Sequence, residues 1–181
     1  MGYDLHMVRT PASVDEAELP NSGGTPGYYR FNVWGMGMTV GALEWADAID
    51  YRSPPPLPEL EGIDEDRAGV AIDVVRGGKP PKKKPPTESE LAAARKYLEA
   101  HEKAVSKSSL KKGRVGAYKF QSNDGWLVTP EECLVIASKL RASVDVIASD
   151  FFPDAGVKKA DGRKWILGFA RYNEIAAEHG G

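Results

Sequence analysis

The alternation of apolar and polar positions is clearest near the N-terminus. Over residues 3–9, Tyr3, Leu5 and Met7 fall on one side and Asp4 and His6 on the other. That period of two predicts a half-buried strand. Residues 28–34 give a second strand, rich in aromatic and β-branched side chains. Tyr29, Phe31 and Val33 share one face of it, and Tyr28, Arg30, Asn32 and Trp34 the other. Gly35 and Gly37 end the strand, and Thr39 can cap a helix running from Val40 to about Ile49. The apolar run at 70–75 predicts a third strand, covered on both faces except at Asp73.

Two capping boxes mark helix starts. Thr87 with Glu90 opens a helix to about Ser108, with Leu91, Ala94, Leu98 and Val105 inward. Thr129 with Glu132, and Pro130 at the first helical position, opens another to about Ser149. Its inner stripe is Cys133, Ile136, Ala137, Leu140, Val144 and Ile147. Residues 151–153 end it. Between these helices, 114–120 and 126–128 read as short strands around a turn at 122–125, where Gly125 can supply a positive φ. Asp161 can cap a last helix with Trp165, Phe169, Tyr172 and Ala176 inward.

Between the periodic segments lie breakers. Residues 11–27 and 52–68 collect proline, glycine and acids and read as exposed loops. Residues 77–86, which hold Lys79, Lys82, Lys83 and Lys84 among glycines and prolines, read as an exposed basic linker. Strands and helices do not alternate regularly. The expected class is therefore α+β, a small mainly antiparallel sheet packed with about four helices and a helical C-terminal part. Neither side of the linker is large enough to prefer independence, so a single domain over 1–181 is expected.

Composition narrows the function classes. At 41% hydrophobic and 28% charged residues, the chain reads as a globular protein rather than a fibrous or disordered one. No apolar run is long enough to span a bilayer, and the N-terminus lacks a signal-peptide core. The one cysteine, Cys133, allows no internal disulfide, and a cytoplasmic setting is expected. Charge is segregated. Residues 1–66 hold 3 Lys and Arg against 12 Asp and Glu, whereas residues 67–119 hold 14 against 5. Such blocks either neutralise each other across the fold or present a basic face to an acidic partner. The first is the plainer reading.

Candidate chemistry is sparse. The glycines at 35, 37 and 41 are one residue too widely spaced for a dinucleotide loop, and no acid ends the following strand. The prolines of 54–58 fit a polyproline ligand, but in so proline-rich a segment they read first as a stiff loop. His6, His101 and His179 are far apart and lack metal-ligand neighbours at short spacing. Cys133 lies in the first turn of a helix, where a thiolate is favoured, yet it also fits the inward stripe of a structural cysteine. No nucleophile, acid–base pair, cofactor site or metal site is therefore expected. Lys96, Lys103, Lys107, Lys111 and Arg114 would share one stripe if their helix ran that far. With Lys79, Lys82, Lys83 and Lys84 they could contact phosphates.

Residues 29–35, the 123–125 turn with the helix behind it, and Trp165, Phe169, Ala170 and His179 with Gly180 and Gly181 together resemble small uncharacterised proteins of actinobacteria and their phages. The resemblance implies a small accessory protein; in such relatives a short strand follows the final glycines, and here that strand is expected to be missing. It implies no functional residue. The leading expectation is a non-catalytic cytoplasmic interaction protein (host cytoplasm if phage-encoded). It would bind a protein partner through Tyr28, Arg30, Asn32 and Trp34 or through the acidic N-terminal region. The alternatives are a nucleic-acid-binding accessory protein using the basic residues above, and a small enzyme involving Cys133 or His6.

Overall fold

Strand β1 (Gly2–His6) pairs antiparallel with β2 (Tyr28–Asn32), with Leu5 opposite Tyr29 and His6 opposite Tyr28. The alternation plays out as its pattern requires: Met7 is buried, Leu5 half-buried, Asp4 and His6 exposed. The structure, a computed structural model, describes residues 2–11, 27–122 and 124–181, and for residues 2, 3 and 30–34 the backbone alone. The loop expected at 11–27 therefore lies almost wholly outside the described residues, as does Asn123 of the expected turn.

The chain forms two compact units. The first joins Met1–Pro54 to Ser108–Gly181; the second is Pro55–Lys107.

In the first unit, α1 (Val33–Trp45) follows β2 directly. It starts earlier than the pattern predicted, and all three spaced glycines lie within it. Thr39 is not its cap. Its hydroxyl donates to the Gly35 carbonyl inside the helix, 2.9 Å away. Two-residue strands β3 (Ile49–Asp50) and β4 (Val115–Gly116) pair in parallel. A short α4 (Tyr118–Gln121) follows.

The core is built on α5 (Pro130–Val146) and α7 (Lys159–Glu178), which pack along their length. Thr129 and Glu132 form the full capping box at the start of α5. Cys133, Ile136, Ala137, Leu140 and Val144 are all buried, as the helical spacing requires. Residues 151–153 do not end the helical path. It widens into a π-helical turn at Ile147–Phe151 and continues through α6 (Phe152–Asp154). α7 begins two residues before Asp161, which lies in its first turn rather than at its cap.

The second unit pairs α2 (Glu65–Val75) with α3 (Glu88–Val105). The expected strand at 70–75 is the C-terminal half of α2. Its β-branched residues suggested a strand, but Ala68, Ala71, Ile72 and Val75 recur at helical spacing and are buried or half-buried. Asp64 caps the helix by accepting from the Asp66 N–H at 3.0 Å. The loop expected at 52–68 therefore ends before Glu65. Residues 77–86 carry no helix or strand, and most of them are exposed.

Arg67 ties this unit together. Its guanidinium grips both oxygens of Glu90 at 2.8 and 2.9 Å and also donates to the Lys84 and Pro85 carbonyls. Arg67, followed by the Thr87 N–H, pulls the Glu90 carboxyl from its ordinary 4.5 to about 2. A carboxyl depressed on folding contributes stability above its unfolded value and loses it as pH falls through the folded one. The α2–α3 pairing should accordingly keep this contribution above pH 4.5 and lose it towards pH 2. Side-chain carbon NMR of Glu90 reads the midpoint directly. Glu90→Gln should abolish that titration and flatten the acid limb of the stability profile.

The α+β class holds; among the described residues the sheet is reduced to one antiparallel and one parallel pair of strands, and the C-terminal part is mainly helical.

Candidate binding cleft

Beside β1 in the first unit lies a half-open cleft of about 270 Å³. One wall is β1 itself, through Asp4, Leu5 and His6. The facing wall is residues 125–128, and the floor includes Phe120, Cys133, Tyr172 and Ala176. Gly181 also borders it.

Residues 126–128 were expected to be a strand, but their carbonyls are taken by side chains instead of a ladder. Leu127 O accepts from Lys119 Nζ at 2.5 Å, and Val128 O accepts from the Cys133 thiol at 3.5 Å. The turn before them is made by Gly125, whose φ of +74° suits glycine. The reading of 114–120 as one strand fails for a related reason. The ladder is used up at Val115–Gly116, where Ala117 N donates to Asp50 O and Gly116 N to Ser109 Oγ, and the chain then turns into α4.

The cleft mixes an apolar floor with a polar rim. On the rim, the Tyr28 hydroxyl donates to Asp4 Oδ1 at 2.7 Å, and its ring lies 5.0 Å from that of His6. On the facing wall, the Trp126 ring meets Tyr118 edge-on at 4.8 Å. Its indole Nε1 is buried and has no acceptor among the described residues. A buried donor without an acceptor is uncommon in folded proteins and costs free energy until something accepts from it.

Behind the facing wall sits a buried polar network. Lys119 Nζ and Glu132 Oε2 are 2.7 Å apart, and both side chains are fully buried. Glu132 also accepts from the Ser109 N–H (2.5 Å) and hydroxyl (2.7 Å) and from the Thr129 N–H (2.7 Å). Burial alone would raise the Glu132 pKa, but Lys119, Ser109 and Thr129 together hold it below the ordinary carboxylate range. Burial pulls Lys119 down, against the opposing attraction of Glu132. Arg52 extends the network to the strands: it holds both oxygens of Asp50 and donates to the Ser109 and Arg114 carbonyls. The capping-box signature identified Glu132 as a helix-start residue. Nothing in the sequence marked Lys119 as its partner, because Lys119 fell in an expected strand.

Of the expected protein-binding residues, Tyr28 stands at the rim of the cleft. Arg30 and Asn32 lie further along β2 and Trp34 in the first turn of α1, and their side chains lie outside those described. The expected basic stripe does not form as one helical face. α3 ends at Val105, so Lys96 and Lys103 are on it, Lys107 is past its end, and Lys111 and Arg114 belong to the other unit. Lys79, Lys82, Lys83 and Lys84 are exposed, and their side chains make no ion pair among the described residues. The opposed charge blocks meet at a few points inside each unit. Asp47 binds Arg114 at 2.6 Å in the first, and Glu61 faces Lys96 at 4.0 Å in the second.

Cys133 is buried in the floor, and burial followed by the Glu132 charge pushes its thiol up to about 12. The thiol form therefore dominates at neutral pH. Among the described residues, no cluster of three or more His, Cys, Asp or Glu could hold a metal ion, and no helix is long and apolar enough to cross a membrane. No family model, curated protein or solved structure matches the chain.

Proposed function

We propose that the chain is a non-catalytic accessory protein that binds a protein partner in the cleft beside β1, working in the cytoplasm (the host's, if phage-borne). The observation that carries this reading is the cleft itself: an apolar floor and an exposed polar rim of Asp4 and His6, with the half-buried Tyr28 hydrogen-bonded to Asp4. Two features favour binding over turnover. The buried Lys119 and Glu132 are engaged with each other, and the Cys133 thiol is protonated where a nucleophile would need to be thiolate.

The alternative, nucleic-acid binding, is favoured only by the exposed lysines of 79–84. Position-specific photocrosslinking separates the two. A benzophenone side chain replacing His6 should yield a defined protein adduct from nuclease-treated lysate of the source cell. The same probe at Lys164, exposed on α7, should not. The adduct should persist in a Lys82→Gln/Lys83→Gln/Lys84→Gln variant. Absence of a His6-specific protein adduct, or an adduct that disappears with nuclease or with the triple substitution, would overturn the reading.

A further inference from the structure

The register of β1 determines which of its backbone groups face the cleft. Met7 lies opposite Gly27 and donates to its carbonyl at 2.9 Å, so this is a hydrogen-bonded pair. In an antiparallel ladder such pairs alternate with non-bonded ones. Leu5 with Tyr29, and Tyr3 with Phe31, are therefore also of the bonded kind. Asp4 and His6, between them, direct their N–H and C=O groups away from β2, towards the outer edge of β1. Both residues line the cleft, and no described residue pairs with their backbone groups.

The next position along that edge is already satisfied by backbone. Val8 N donates to Gly181 O at 3.0 Å, and Arg9 N to His179 O at 2.9 Å. Numbers rise from 179 to 181 as they fall from 9 to 8, so this contact runs antiparallel to β1. The edge thus accepts main chain in one direction at Val8, and the following groups, at His6 and Asp4, have no partner among the described residues.

We infer that the cleft binds an extended peptide segment of the partner protein, added as a strand antiparallel to β1. This rests on the protein-binding reading above and specifies its mode. Main-chain hydrogen bonds to Asp4 and His6 would supply affinity, as they do wherever a peptide extends an exposed sheet edge. An exposed strand edge that is neither covered nor blunted invites such pairing. Specificity would come from side chains at alternate positions. One apolar side chain would enter between Phe120 in the floor and Val128 in the facing wall. The exposed carboxylate of Asp4 at the rim favours a Lys or Arg at the neighbouring outward position.

The test uses the full chain and peptides selected on it from a random library. Two backbone perturbations are decisive. His6→Pro removes one edge donor and leaves the β1–β2 ladder intact, since that N–H points away from β2, and an edge strand tolerates proline. His6→Ala keeps the N–H and reports the side chain's own share. The loss of affinity with Pro should exceed that with Ala by roughly tenfold. Methylating alternate backbone nitrogens of the peptide should abolish binding in one register and spare it in the other, which keeps the test open if the proline variant folds poorly. In amide exchange, the Asp4 and His6 N–H groups should become protected on binding. Peptides that bind with no sensitivity to methylation and no protection at these two amides would overturn strand addition while leaving protein binding in place. Failure to select any peptide that competes for the cleft would overturn both. Sedimentation showing that copies of the chain pair through β1 would also overturn the inference, with the second copy as occupant.

Discussion

Lys119→Met should lower the unfolding free energy of the chain by about 3–5 kcal/mol, measured by denaturant titration. The reason is the company Glu132 is left with. Its carboxylate is fully buried and would lose the only cation hydrogen-bonded to it among the described residues. A buried charge stripped of its partner is far costlier than an exposed one, whose loss would be worth less than about 1 kcal/mol. A second substitution separates charge from hydrogen bonding. Glu132 accepts from Ser109 N, Ser109 Oγ and Thr129 N as well as from Lys119. Glu132→Gln in the Lys119→Met background removes the orphaned charge and keeps an acceptor oxygen, and should recover more than half of the loss. Glu132→Leu in the same background should recover little, because three donors would then be buried without an acceptor. If both doubles behave alike, the network is held by charge alone.

Phe152→Ala should cost a similar amount, about 3–5 kcal/mol, by opening a cavity between α6 and the start of α7. Phe152 is 1% exposed, and its ring meets Trp165 edge-on at 5.4 Å. It also explains a glycine. A Cβ at Gly162 would lie 2.6 Å from the Phe152 ring, and that ring is too enclosed to retreat. Gly162→Ala alone should therefore destabilise by about 1–2 kcal/mol, overpacking outweighing the roughly 1 kcal/mol that alanine gains in a helix interior. In the Phe152→Ala background the same change should become stabilising. That reversal of sign in a double-mutant cycle is the diagnostic result.

Helices were read from the sequence best where their signals were local. Both capping boxes, and the inward stripe behind Thr129, are set within a few residues, and the structure reproduces them. The β1 alternation was equally local. Errors came where the deciding partner was distant. Residues 126–128 have strand-like side chains, yet Lys119 and Cys133 take two of their carbonyls. Residues 70–75 look like a buried strand until the acids at 64–66 are counted as a cap and first turn. The cleft was half legible. Tyr28 and His6 were singled out on the strands, but its facing wall and the buried Lys119–Glu132 pair arise from contacts that no spacing announces. Cys133 was ambiguous between thiolate and core, and its burial decides for the core.

The parallel pairing of β3 with β4 also sets an order of events during synthesis. Ile49 and Asp50 leave the ribosome early, but Val115 and Gly116 follow only after the whole of Pro55–Lys107. At about 5–20 residues per second, β3 waits roughly 3–13 s for its partner. The intervening unit pairs two helices close in sequence and can complete that pairing in the interval. The last step of folding is then the arrival of residues 108–181, whose Ser109 and Arg114 carbonyls are received by Arg52, already in place at the other end of the insert. When Val115 emerges from the ribosome, α2 and α3 are already outside it, while the N-terminal segment still lacks most of its core.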